Sequence, residues 1–190
     1  MMKVGVLALQ GAVSEHVECL ERAMEKQGFA GEILEARSRE EVRELDGIVL
    51  PGGESTALSL LLRKNGIFED VRRVGAIMGT CAGAVLLSKN ICGGVDGQET
   101  LGLMDIGLVR NGYGRQLESF CAPLETSLGA IEGVFIRAPV IESVSGGVEV
   151  LAEHRGKAVG VQQGKYLATT FHPEMSGSTA FHEHFLKLNK

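Results

Sequence analysis

The sequence predicts an α/β fold: three layers, built on a mixed, mainly parallel sheet with helices on both faces. Three observations predict it. Over residues 1–90 short apolar runs alternate with segments of helical period, and strands separated by helices favour a parallel sheet covered on both sides. Beyond residue 100 the pattern changes to closely spaced β-like runs with few helical signals between them, which makes the sheet mixed. Finally, 44% of the 190 residues are hydrophobic, enough for one sizeable core. No internal repeat and no low-complexity linker interrupts the chain, so 1–190 reads as a single domain.

The elements follow in order. KVGVLAL (3–9) is apolar and β-rich and forms the first strand. Val13, Val17, Leu20 and Met24 then recur at spacings of four, three and four, which draws one apolar stripe along a helix. EILEA (32–36) is the second strand, and Ser38 with Glu41 forms a capping box that opens a short helix. GIVL (47–50) is the third strand, ended by Pro51, Gly52 and Gly53. STALSLLLRKNG (55–66) is a helix closed by Gly66. GAIM (75–78) is a strand, and GAVLLSKN (83–90) the next helix. GLMDIGLVR, IEGVFIRAP, VEVLAEH, KAVGVQQ and KYLATTF supply the later strands, the last two as a hairpin turning near Gly164 and Lys165. STAFHEHFLKLN (178–189) is a closing helix.

Composition excludes several classes of function. The net charge is −5 with no basic run or stripe, which argues against nucleic acid as a partner. No apolar stretch is long enough to span a bilayer, and the N-terminus makes a poor signal peptide, so no membrane partner is expected and the cytoplasm is the expected location. The four cysteines show no CxxC spacing and read as free thiols.

One cysteine has an unusual setting. Cys81 stands in GTCAG (79–83), between a buried strand and a helix. A sharp strand-to-helix turn of the G-x-S-x-G type places its nucleophile at a strained position and needs small neighbours, which Gly79 and Gly83 provide. The helix starting near Ala82 would aim its N–H groups at the sulfur, favouring thiolate and offering the Ala82 N–H to an oxyanion. An ordinary tight turn around a buried thiol fits the same five residues. FHPE (171–174) supplies a second element: in an extended segment His172 and Glu174 face the same side, with Pro173 marking a strand end. Nucleophile, base and orienting carboxylate are the three parts of a Cys-His-acid triad. A satisfied surface histidine beside an acid is the alternative.

GTCAG and FHPE, with Cys81 and His172 91 positions apart, resemble the class I triad glutamine amidotransferases. LQGAVSEH (9–16), PGGEST (51–56), RNGYGRQ (110–116) and GVFIRAP (133–139) extend the resemblance across nearly the whole chain to the glutaminase subunits of pyridoxal 5′-phosphate synthase. The resemblance implies a class I glutamine amidotransferase-like fold and hydrolysis of L-glutamine to glutamate and ammonia through a glutamyl thioester. Cys81 would be the nucleophile, His172 the general base and acid, and Glu174 its partner. It maps the glutamine pocket onto Gly53, Glu54, Ser55, Arg110, Ile136 and Arg137; by themselves Arg110 and Arg137 read equally as surface charge. Beside Ala82, backbone N–H groups at Gly52 and Gly53 would supply the other half of the oxyanion hole. The resemblance also implies transfer of ammonia to a separate synthase subunit in a large hetero-oligomer, with LQGAVSEH and RNGYGRQ in the region that meets that partner and Gln10 near the pocket. A glutaminase subunit of another amidotransferase, or a peptidase-like cysteine hydrolase on a similar fold, are the alternatives.

No cofactor, nucleotide or metal is expected. PGGES lacks the lysine of a phosphate-binding loop. His182 and His184 lie two apart on a helix, where chelation needs three or four, and read as surface or interface residues. Cys19 falls off the apolar stripe of its helix, Cys92 sits in a Gly-rich turn and Cys121 in a β-like run.

Overall fold

A computed structural model describes residues 1–113 and 119–190. In chain order the first half reads β1 (Met2–Leu7), α1 (Val13–Gln27), β2 (Gly31–Ala36), α2 (Arg39–Arg43), β3 (Gly47–Leu50), α3 (Ser55–Lys64), α4 (Phe68–Val71), β4 (Ala76–Thr80), α5 (Ala82–Leu87) and β5 (Ser88–Cys92). The second half reads β6 (Met104–Val109), β7 (Ser119–Thr126), β8 (Gly129–Ile136), β9 (Val140–Val144), β10 (Glu149–His154), β11 (Lys157–Gln163), β12 (Tyr166–Thr169), a 3-10 turn over Pro173–Met175 and α6 (Ala180–Leu188).

Nine strands form one sheet in the order β2-β1-β3-β4-β12-β11-β10-β7-β8. The pairs from β2 to β12 are parallel. From β12 outward they are antiparallel, including the β11–β12 hairpin in which Gln163 pairs with Tyr166 across Gly164 and Lys165. The parallel half has the strand-helix alternation that the sequence shows, and its side chains alternate between two cores as a two-residue period requires. Leu7, Ile48, Leu50, Ile77 and Ala168 face α2 to α5, while Val4, Val6, Val49, Met78 and Leu167 face α1 and α6. Fully burying each Leu or Ile contributes roughly 1.5–3 kcal/mol. Ser38 accepts from the Glu41 N–H and Glu41 answers to the Ser38 N–H, so the capping box opens α2 as its spacing predicts.

Several elements differ from the sequence reading, among them α4, which it did not contain. The helix expected over 83–90 stops at Leu87, and Ser88–Cys92 is a strand that joins β6 and β9 in a separate three-stranded sheet. The Ser88 hydroxyl donates to the Val85 carbonyl, and the N–H groups of Leu101 and Leu103 donate to the carbonyls of Leu86 and Leu87. Those long-range donors satisfy the end of α5 and release the chain into β5. Cys92 is accordingly the last residue of that strand, not part of a turn. The stripe of α1 is also rotated: His16, Cys19, Leu20, Ala23 and Met24 are its buried residues, so Cys19 is fully inside. Lastly, β9 carried no strand signal strong enough to read, since it is a five-residue edge with three exposed positions.

Candidate active site

The strands β3, β4 and β12 are neighbours and parallel, so their carboxyl ends lie side by side. The register sets the site. Thr80 pairs with Thr169, the Cys81 N–H donates to the Thr169 carbonyl at 2.8 Å, and His172 follows three residues later. Leu50 pairs with Gly79, which brings Pro51–Glu54 onto the same edge.

Cys81 is buried and holds φ 49°, ψ −101°, a strained conformation for any residue with a side chain. It leads directly into α5, as an elbow of this type requires. The two flanking glycines are forced. A Cβ on Gly83 would stand 2.0 Å from the Leu50 carbonyl oxygen, and one on Gly79 would stand 2.5 Å from the Gly83 oxygen. The Cys81 Sγ lies 3.8 Å from the Ile136 carbonyl oxygen.

His172 is held by its backbone, whose N–H donates to the Val134 carbonyl of β8 at 2.8 Å. The segment after it is not extended as the sequence reading supposed. Pro173 opens a 3-10 turn, for which its fixed φ and missing N–H are suited. The turn folds Glu174 back so that its Oε1 meets the His172 Nδ1 at 2.7 Å. Burial disfavours a charged His172 ring, but Cys81 and Glu174 on either side outweigh it and raise the imidazole to about 10. His172 therefore favours its imidazolium form.

A cavity of about 470 Å³ opens above this edge, within the roughly 300–1,000 Å³ usual for small-molecule sites. Cys81, His172, Gly53, Glu54, Ser55, Ala82, Arg110, Ile136 and Arg137 all line it; of the expected catalytic, glutamine-binding and oxyanion-hole residues only Glu174 does not, because it stands behind His172. Glu54 caps α3, its carboxylate accepting from the N–H groups of Thr56 and Ala57. Arg110 bridges Glu54 Oε1, Thr56 and Gln98. Burial opposes the Glu54 charge, but those two N–H groups and Arg110 hold its carboxyl below the usual range. Gln10 stands across the next peptide, accepting from the Glu54 N–H and donating to its carbonyl.

The model of the SNO glutamine amidotransferase family matches residues 6–189. The chain belongs to the SNO glutamine amidotransferase family. It is 47% identical to "Pyridoxal 5′-phosphate synthase subunit PdxT" of Thermococcus onnurineus over 98% of both chains. It is 44% identical to the protein of that name from Oenococcus oeni, over all of this chain and 97% of the other. A solved structure titled a glutamine amidotransferase superposes with a TM-score of 0.86 at 43% identity, covering 98% of each chain. A further one, a glutamine amidotransferase from Thermotoga maritima, shares only the fold, at 14% identity and a TM-score of 0.59 over 98% of this chain and 83% of that one.

In this SNO-family chain the sequence reading missed a group behind His172 and Glu174. His16 and His182 are fully buried, as is Cys19, whereas the sequence read His182 as a surface or interface residue. His16 lies in LQGAVSEH and shares the buried face of α1 with Cys19, so a helical stripe drawn through polar as well as apolar residues would have found it. His184, two residues from His182, is only partly buried and bonds to Gln162, consistent with the different helix sides expected. Within RNGYGRQ, Arg110 reaches the cavity and Tyr113 packs edge-on against Phe120 and Phe135. Gly114, Arg115 and Gln116 of that stretch lie outside the described residues.

Proposed function

We propose that this chain is the glutaminase subunit of a pyridoxal 5′-phosphate synthase. It hydrolyses L-glutamine to L-glutamate and ammonia and passes the ammonia to a separate synthase subunit in a large hetero-oligomer. The observation that carries the reading is the strained Cys81 elbow facing a Glu174-held His172 inside one cavity with PGGES and Arg110. The names of the full-length PdxT relatives supply the synthase. The whole of 1–190 serves as one glutaminase domain, and four free thiols suit the reducing cytoplasm.

The chemistry follows from the geometry. The Cys81 thiolate attacks the carbon of the side-chain carboxamide. The oxyanion of the tetrahedral intermediate takes N–H donors from Ala82 and Gly53. His172 gives its Nε2 proton to the departing nitrogen, which leaves as ammonia, and a glutamyl thioester remains on Cys81. The now neutral His172 takes a proton from water, whose oxygen attacks the thioester carbon; glutamate leaves and the thiolate–imidazolium pair returns. Glu174 keeps its proton donor in register throughout. Glutamine is a zwitterion, so the Glu54 carboxylate suits its ammonium, and Arg110 and Arg137 suit its α-carboxylate.

The test is ammonia release from glutamine with the synthase subunit present, set against cleavage of peptides. Glutamine turnover that rises on adding the synthase, and one covalent adduct on Cys81 from a glutamine-mimicking diazo ketone, are expected. Peptide cleavage without glutaminase activity would point to a cysteine hydrolase of another kind, and ammonia delivered only to a different synthase would point to another amidotransferase.

A further inference from the structure

Glu174 uses only half of its carboxylate on the triad. Oε1 meets His172 Nδ1 at 2.7 Å, while Oε2 is buried without a hydrogen-bond partner. A buried carboxylate oxygen left so is costly, and its surroundings need an explanation. His16 Nε2 stands 3.4 Å from that oxygen and 3.1 Å from Thr80 Oγ1. Behind it a chain of buried polar contacts runs inward. His16 Nδ1 meets His182 Nε2 at 2.9 Å, and His182 Nδ1 meets Cys19 Sγ at 3.2 Å. Three elements contribute to this chain: α1 gives His16 and Cys19, α6 gives His182, and the 3-10 turn gives Glu174.

The directions of the protons in this chain are determined from its end. Glu174 Oε2 can only accept, so the His16 nitrogen facing it must carry the hydrogen. His16 Nδ1 is then a lone pair and must accept from His182 Nε2–H. His182 Nδ1 in turn accepts, and only the Cys19 S–H can donate to it. This arrangement places a hydrogen between His16 Nε2 and the Glu174 oxygen, beside Thr80 Oγ1. In the reversed one the Thr80 hydroxyl would donate to His16 Nε2 and the Cys19 S–H to the Ser178 carbonyl at 3.6 Å, and a lone pair would face the buried carboxylate.

We propose that His16, held in one tautomer by His182 and Cys19, is a positioning residue of the catalytic site that presents its Nε2–H to the inner oxygen of Glu174 and so fixes the carboxylate that orients His172. The charges around this chain agree with the arrangement. On α1 they are those of Cys19 and Arg22, on α6 those of His182 and Glu183, and from the sheet edge and 3-10 turn those of His172 and Glu174. Burial keeps both histidines neutral: His16 is held well below its usual value, with His182 and His172 adding to the effect, and His182 is lowered to about 3, with Arg22 adding. Burial also pushes the Cys19 thiol up to about 11, so it retains the hydrogen that it must donate.

The inference deepens the glutaminase reading and rests on it for one arm of its test only. In the intact chain labelled with ¹⁵N in its imidazoles, His16 and His182 should both appear as neutral Nε2–H tautomers at neutral pH; an Nδ1–H tautomer on His16 overturns the proposal. His16→Asn keeps an amide near His182 but does not reach Glu174, whereas His16→Gln extends an amide N–H towards it. Removing the donor leaves the Glu174 charge less supported, weakening its hold on the imidazolium. The pH midpoint of Cys81 alkylation by iodoacetamide, read by mass spectrometry, should therefore rise by about one unit or more in His16→Asn. With the synthase subunit present, its kcat should fall about tenfold or more while KM stays within about twofold. His16→Gln should restore most of both. A folded His16→Asn chain with an unchanged midpoint and rate, or a folded His16→Gln chain as impaired as His16→Asn, overturns the proposal; if His16→Asn does not fold, the tautomer measurement decides it. Should the wild-type chain release no ammonia, the glutaminase reading fails while the tautomer and alkylation results still judge the role of His16.

Discussion

His172 is where the residue-scale forces meet. Its ring is pressed from one side by the backbone of Gly52, where a Cβ would stand 2.4 Å from Cε1 and 3.1 Å from Nδ1. Gly52→Ala is therefore expected to displace the imidazole and abolish glutamine turnover in a chain that still folds; steady-state kinetics beside a circular dichroism spectrum checks both halves. Glu174→Gln replaces the acceptor at His172 Nδ1 with an amide that removes the charge holding the imidazolium. Turnover should fall by about 10²–10⁴-fold, the range that general acid–base catalysis supplies. Cys81→Ala removes the proposed nucleophile and should leave no thioester and no ammonia, with the fold unchanged. Substantial residual turnover would contradict its role. These residues were legible because GTCAG and FHPE are short and local; the 3-10 turn that aims Glu174 was not, since an H-P-E sequence fits a strand end equally well.

At the scale of elements, the elbow depends on how closely α5 approaches β3. The space between the Gly83 Cα and the Leu50 carbonyl admits no methyl group. Gly83→Ala should cost about 1–3 kcal/mol of stability through overpacking, measured by urea unfolding, and should lower activity with it because Cys81 rides on the same turn. Ser38→Ala offers the contrast. It breaks the capping box of α2, which does not line the cavity, and should cost about 1 kcal/mol without altering turnover. The capping box was readable from four adjacent residues. The end of α5 was not, because the groups that terminate it come from Leu101 and Leu103, more than a dozen residues on.

For the molecule as a whole, the buried histidines predict an acid sensitivity. His16 and His182 have folded values below the ordinary 6.5, so the unfolded chain binds more protons than the native one as pH falls. Stability rises with pH wherever that holds. It should therefore drop as pH falls from about 6.5 towards the folded values, already between pH 6.5 and 5 where carboxylates contribute little. His172 acts in the other window. Its value is raised to about 10, so its contribution is full below 6.5 and is lost as pH rises towards 10. Urea titrations at pH 5, 6.5, 8 and 9.5 should give a maximum near neutrality; stability that kept rising towards pH 5 would contradict the burial of uncharged His16 and His182.

The amino-acid sequence alone determined the alternation of strands and helices in the first half, the capping box, the hairpin at Gly164, the nucleophile elbow and the family resemblance. All of these are built from short local patterns, where backbone geometry leaves few options. Tertiary structure alone decided which side of α1 faces inward, that Ser88 begins a strand, and that His16, His182 and Cys19 line up behind Glu174. Each of those depends on partners 15 to 166 positions away along the chain. A buried polar group declares itself only through what lies opposite it once the chain has folded.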